Sequence, residues 1–167
     1  TESHGSRYVV SKWRIEGTEY RIGETYTADH DVTMLALYEQ AHDVVTVGSS
    51  HGKVTSDIPF GASGIRVTLT ASPDDDCYLK QICVKVYDKV IYEQTASNGG
   101  SLGLQHSFTL PEEGNAVVYS AFEQNKYKVT GDASDFNAVM EVRVNGELTD
   151  AAAYGDTISV SVDPQYS

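Results

Sequence analysis

Gly64-Ile65-Arg66-Val67-Thr68-Leu69-Thr70-Ala71-Ser72-Pro73 is the stretch that decides the fold class. Between a glycine and a proline, Ile65, Val67, Leu69 and Ala71 alternate with Arg66, Thr68 and Thr70, the period of two that puts one strand face in a core and the other in water. The stretch returns later, because Gly155-Asp156-Thr157-Ile158-Ser159-Val160-Ser161-Val162-Asp163-Pro164 aligns with it without a gap. A second pair of segments matches in the same way. Asp31-Val32-Thr33-Met34-Leu35-Ala36-Leu37-Tyr38-Glu39 lies on Asn115-Ala116-Val117-Val118-Tyr119-Ser120-Ala121-Phe122-Glu123. Repetition at fixed spacing marks an array of similar units. The matches divide the chain into a partial unit at 1–40, a complete one at 43–123 and a second partial one at 124–167.

Outward from residues 64–73, Val44-Val45-Thr46-Val47 and Lys53-Val54-Thr55 read as strands around a turn at Gly48 to Gly52. Ile58-Pro59-Phe60-Gly61 is excluded from the middle of a sheet, since proline has no N–H to give a ladder. Asp74-Asp75-Asp76 is a loop, Tyr78-Leu79 and Ile82 to Val86 a strand, and Val90-Ile91-Tyr92 its return. Asn98-Gly99-Gly100-Ser101 is a turn, and Phe108-Thr109-Leu110-Pro111 leads into a final strand at Ala116 to Phe122. In the first piece, strands are expected at Tyr8 to Ile15, Tyr20 to Tyr26 and Val32 to Tyr38. Met34 to His42 has the composition of a helix, but its match to Val117-Val118-Tyr119 predicts a strand. In the last piece, Asn145-Gly146 between Met140-Glu141-Val142-Arg143-Val144 and Glu147-Leu148-Thr149 predicts a two-residue hairpin. The expectation is an all-β, mainly antiparallel chain of small tandem modules, β-grasp-like or β-sandwich-like.

Charge narrows the partners. A net charge of −12 and a pI near 4.6 oppose nucleic acid, whose affinity for proteins comes largely from Lys and Arg, and oppose anionic membranes. No apolar run approaches the roughly 20 residues that span a bilayer, and no signal peptide is read, so the chain is taken as a piece of something longer. The two cysteines, Cys77 and Cys83, sit on one expected strand at a spacing of roughly 20 Å, beyond disulfide reach. They are expected to be free.

The first piece resembles the Listeria–Bacteroides repeat of bacterial surface proteins through Trp13, the Gly17-x-x-Tyr20-x-x-Gly23-x-x-Tyr26 spacing and Asp31-Val32-Thr33-x-Leu35 closing at Tyr38. The resemblance implies a β-grasp-like fragment. Residues 43–123 resemble the tandem repeats of Gram-positive surface and secreted proteins, through Gly64 to Pro73, Tyr78-Leu79-x-x-Ile82, Phe108-Thr109-Leu110-Pro111 and Val117 to Phe122. That resemblance implies an extracellular, cell-surface or cell-wall setting and a non-catalytic spacer or adhesive role.

Chemical candidates are few. The histidines at 4, 30, 42, 51 and 106 have no ligand spacing, and Asp74-Asp75-Asp76 and Asp132-x-x-Asp135 lack the glycine and terminal glutamate of a calcium loop. No catalytic residue, cofactor or metal is expected. Trp13 with Tyr8, Tyr20 and Tyr26 is the one candidate ligand-binding set, an aromatic platform for a sugar, weighed against Trp13 as the anchor of a small core. Two functions follow: a structural or adhesive repeat segment of a larger surface or secreted protein, or a carbohydrate-binding accessory module of a glycan-processing enzyme. The expected partners are neighbouring repeats and a host or cell-wall glycan or protein. Because 1–39 lacks opening strands and 126–167 lacks closing ones, each is expected to need a complement.

Overall fold

The computed structural model describes residues 7–97, 100–131 and 138–164, and every regular element among them is a strand. The chain is all-β and mainly antiparallel. Asn98 and Gly99 of the expected turn, Asp132, Asp135 and His4 lie outside the described residues.

The first sheet is β1 (Tyr8–Ile15), β2 (Thr18–Arg21) and β3 (Met34–Gln40), in the order β2-β1-β3. Glu16 and Gly17, with φ of 50° and 85°, make the tight β1–β2 turn, whose left-handed backbone favours glycine. The strand expected across Tyr20 to Tyr26 stops at Arg21. Gly23, at φ 92°, turns the chain so that Glu24 N–H donates to the Arg21 carbonyl and the Glu24 carboxylate accepts from Arg21 N–H. Met34 to Gln40 is a strand despite its helical composition, because β1 pairs along its whole length.

The central unit comprises β4 (His42–Thr46), β5 (Gly52–Ser56), β6 (Phe60–Gly61), β7 (Arg66–Pro73), β8 (Cys77–Val86), β9 (Lys89–Thr95), β10 (Gln105–Thr109) and β11 (Ala116–Gln124). They form a five-stranded sheet, β6-β4-β11-β8-β9, and a three-stranded one, β10-β7-β5. The first and last strands, β4 and β11, are parallel neighbours, Ala116 facing Val44 and Val118 facing Thr46. Pro59 is tolerated because β6 is a two-residue edge strand. One core joins the sheets. Val67, Leu69 and Ala71 of β7 meet Leu79, Ile82 and Val84 of β8 and Val118 and Phe122 of β11, all buried, while Arg66 and Thr70 face out. The one buried polar side chain among the described residues, His106, is satisfied. Its Nε2 lies 2.7 Å from the Gly103 carbonyl, which can only accept, so Nδ1 accepts from the Tyr92 hydroxyl at 2.9 Å.

The last segment holds β12 (Lys126–Lys128), β13 (Ala138–Val144), β14 (Glu147–Leu148), β15 (Ala151–Ala153) and β16 (Ile158–Pro164). β12 pairs β15, and β13 lies between β14 and β16. The Asn145-Gly146 hairpin is present, with φ of 51° and 85°.

Pairing registers relate both flanking segments to the central unit. In β1–β3, Ile15 faces Met34 and Trp13 faces Ala36, then the ladder slips one residue at Ser11 and resumes with Val10 facing Tyr38. In β8–β11, Val84 faces Val118 and Ile82 faces Ser120, then the ladder slips at Lys80 and resumes with Leu79 facing Phe122. Each ladder is prolonged by one more bond, Ala41 N–H to the Arg7 carbonyl in the first and Asn125 N–H to the Asp76 carbonyl in the second. β2 pairs β1 as β9 pairs β8, Trp13 facing Tyr20 and Ile82 facing Gln94. The sheet β2-β1-β3 therefore repeats β9-β8-β11.

The last segment repeats the other half of the unit. Ala138 to Val142 face Pro164 to Val160 just as Gly52 to Ser56 face Pro73 to Leu69. Tyr127 faces Ala152 where His42 faces Gly61, and Val129 N–H donates to the Asp150 carbonyl where Val44 N–H donates to that of Pro59. The chain thus holds the second half of a unit, a whole unit and the first half of another. Single residues, Ala41 and Asn125, join the strands at the two junctions.

Candidate functional site

Side chains directly opposite each other in a ladder share a face. Tyr8, Val10, Trp13 and Ile15 all face even-numbered residues of β3, because the slip at Ser11 restores the phase that an unbroken strand would have lost. Tyr20, opposite Trp13, joins them. Three of the four residues of the expected platform thus lie on one sheet face, and Tyr26 is brought to Tyr20 edge-on, with ring centroids 5.6 Å apart at 74°. Edge-to-face packing is favourable between aromatics. It is not the flat surface on which a pyranose stacks.

The burial of these residues is uneven. Tyr8 is 67% exposed, Trp13, Tyr20 and Tyr26 are half-buried, and the fully buried residue of this sheet is Ile15. Met34 and Tyr38, which the platform set omits, share the face and are 53% and 65% exposed. Their counterparts in the central unit, Val118 and Phe122, are buried in the core. The alignment of residues 31–39 with 115–123 carried the signal for Tyr38, since it sets Tyr38 on Phe122.

The opposite face is mixed, with Val9, Leu35 and Leu37 among charged residues. Lys12 and Arg14 both pair with Glu19, at 3.0 and 2.7 Å, and their hydrogen bonds hold its carboxyl below the usual range. His30 pins the loop after β2 onto the β1–β2 turn, with Nε2 2.7 Å from Glu16 and Nδ1 2.5 Å from Asp29. Hydrogen bonds to Glu16 and then Asp29 raise its pKa.

The junctions use the remaining polar candidates. Glu39, in contact with the central unit, accepts a hydrogen bond from Ser63 N–H. Burial raises its carboxyl, but the bonds from Ser63 and Ser11, with His42 nearby, outweigh that and hold it low. Arg7 reaches the central unit too, 4.8 Å over the Phe60 ring and 3.7 Å from Asp43. Of the acidic run, Asp76 has φ 58° and accepts from the Tyr127 hydroxyl at 2.8 Å, so it serves the second junction.

Cys77 and Cys83 are free thiols on β8. Burial pushes both up, with Asp74, Asp76 and Asp75 adding to Cys77 and Glu93 to Cys83. Among the described residues, no three His, Cys, Asp or Glu side chains are grouped to hold a metal ion. Among the described residues, no helix is long and apolar enough to cross a membrane.

Comparison with family models, with curated proteins and with solved structures finds no match in any of the three.

Proposed function

We propose that this chain is a structural or adhesive repeat segment of a larger bacterial cell-surface or secreted protein, acting as a spacer or interaction module without catalysis. The observation that carries the reading is the repeated register. One unit of two sheets recurs in whole and in halves, with its slip in the β8–β11 ladder and its single-residue junctions preserved. Units joined this tightly stack in fixed orientation and extend a surface rather than enclose a substrate. The acidic charge keeps such a repetitive β chain from self-pairing at random.

An antibody raised against the chain tests the location. It should label intact cells of the encoding bacterium or its culture medium, and protease treatment of intact cells should remove any cell-bound signal. Retention of the antigen inside protease-treated cells would overturn the reading.

The shared face of Tyr8, Trp13 and Tyr20 favours, as a second reading, a carbohydrate-binding accessory module with cell-wall or host glycans as ligands. A glycan array separates the two. Binding that is lost in Trp13→Ala supports the second, and an empty array supports the first.

A further inference from the structure

Neither the core nor the junctions use the outer face of the five-stranded sheet. Residues opposite each other in a ladder share a face, so Cys83 with Tyr119 and Gln81 with Ala121 lie outside, while Val84 and Val118 lie in the core. Glu93 of β9, opposite Cys83, joins the outer set, and so does Lys85. Cys83 and Ala121 are too short to fill the space above the sheet. A hollow of about 290 Å³ stands over them, walled by Tyr119, Lys85, Gln81 and Glu93. Its polar groups are held in place, since Gln81 Nε2 donates to Glu93 Oε1 at 2.7 Å and Lys85 Nζ stands 5.5 Å from the centre of the Tyr119 ring, within cation–π reach. The fold does not require the hollow. In the first sheet, whose register repeats this one, Arg14 stands where Cys83 does, Leu37 where Ala121 does and Leu35 where Tyr119 does. Arg14 there pairs with Glu19, the counterpart of Glu93.

We propose that the hollow over Cys83 and Ala121 binds one ring of a neutral pyranose sugar. The proposal rests on the second reading for the class of ligand alone, and it places that ligand on the central unit, away from the Trp13 face. Charge selects the class. Lys85 and Glu93 oppose each other at the rim, so a cationic ligand meets the ammonium, and an anionic one meets the carboxylate and a chain of −12. A neutral polyol uses both groups. Its hydroxyls donate to the Glu93 carboxylate and accept from the Lys85 ammonium, and the Gln81 amide keeps a second N–H beyond the one given to Glu93. The C–H side of the ring rests on the small floor and against Tyr119, which is 43% exposed. Ligand pockets run to roughly 300–1,000 Å³, so a hollow of this size takes one ring and leaves the rest of a longer glycan in solvent. All of its lining belongs to the central unit. No other part of a longer polypeptide is needed to build it.

The test is an NMR titration of the nitrogen-labelled full chain with the methyl glycosides of glucose, galactose and N-acetylglucosamine, with glucuronate and glucosamine as charged controls. At least one neutral glycoside should move the amide signals of Cys83, Glu93 and Ala121 with a millimolar Kd, and both charged controls should bind at least about tenfold more weakly. Ala121→Leu fills the hollow and Tyr119→Leu removes its ring, each with the residue that the first sheet carries at the same register position. Either should weaken binding by about tenfold or more, with the circular dichroism spectrum and the urea midpoint unmoved, because both side chains lie outside the core. Trp13→Ala should leave the binding unchanged. Shifts confined to β1 and β2 that Trp13→Ala abolishes and Ala121→Leu does not would overturn the proposal and leave the second reading standing. An absence of shifts with every neutral glycoside would overturn both. A charged control that binds as tightly as the best neutral glycoside would refute the class of ligand, and binding that survives in folded Ala121→Leu and Tyr119→Leu would refute the site.

Discussion

Leu69 and Val160 occupy the same register position in two copies of one strand, yet one is fully buried and the other 55% exposed. Truncating each to alanine therefore measures the cover and not the strand. Leu69→Ala removes three buried carbons at about 0.8 kcal/mol each, roughly 2.4 kcal/mol of lost transfer energy. The cavity left between the sheets brings the total to about 3–4 kcal/mol, inside the ~2–5 range of buried leucine truncations. Val160→Ala in a monomer should stay within about 0.5 kcal/mol. Urea unfolding followed by circular dichroism gives the comparison. With a slope of about 1.5 kcal/mol per molar, Leu69→Ala should lower the midpoint by about 2 M and leave the slope unchanged. A loss below about 1 kcal/mol for Leu69→Ala, or equal losses at the two positions, would refute the assignment of one as core and the other as uncovered face.

Other outcomes follow from the turns, the junction and the titrating groups. Gly146→Val forces a β-branched residue into φ 85° and should cost about 1–2 kcal/mol locally, seen as faster amide exchange across β13 and β14 with β8 and β11 unaffected. His30 is raised in the folded chain, so its bonds to Glu16 and Asp29 stabilise the turn below the pKa of the unfolded imidazole and are lost as pH rises through the folded value. Proton NMR should place that folded value above an ordinary histidine, and Glu16→Gln should bring it down. Glu39 is lowered, so its junction bond is fully present above the unfolded carboxyl's pKa and is lost as pH falls through the folded one. Glu39→Gln should weaken that bond by about 1 kcal/mol and remove the low-pH step in exchange at Ser63. Cys83, buried and raised, should resist alkylation at pH 8 until the chain unfolds, while Cys77 reacts slowly in the native state.

Much of this fold is legible residue by residue where one face is buried and the other wet. Val67, Leu69 and Ala71 announce β7 through alternation, and Asn145-Gly146 announces its hairpin through backbone preference. The repeat in β7 and β16 is legible because the same pattern must fill the same place. What stays hidden is pairing between distant segments. Nothing local to Val44 indicates that its neighbour is Ala116. The slips at Ser11 and Lys80 leave no compositional trace, although they decide which face Tyr8 and Val10 share with Trp13. For that reason the platform set is only part of its face. Aromatic character picks out Tyr8, Trp13, Tyr20 and Tyr26, whereas the face is defined by register and also contains Val10, Ile15, Met34 and Tyr38. The match of residues 31–39 to 115–123 already tied β3 to β11, but the kinship of β1 and β2 with β8 and β9 rests on hydrogen-bond pattern, since Val10 and Trp13 do not resemble Leu79 and Ile82 closely enough to align.

The parallel placement of β4 beside β11 has a mechanical consequence. Tension applied through Ala41 and Asn125 draws β4 toward its beginning and β11 toward its end, so the two strands are pulled past each other along their length. The ladder from Val44–Ala116 to Thr46–Val118, with Val47 N–H donating to the Val118 carbonyl at 2.9 Å, is then loaded in shear. Its bonds share the load and must fail together, whereas a hairpin such as β8–β9 pulled from its open end would yield one bond at a time. A row of such units resists stretching best along the line of its own junctions.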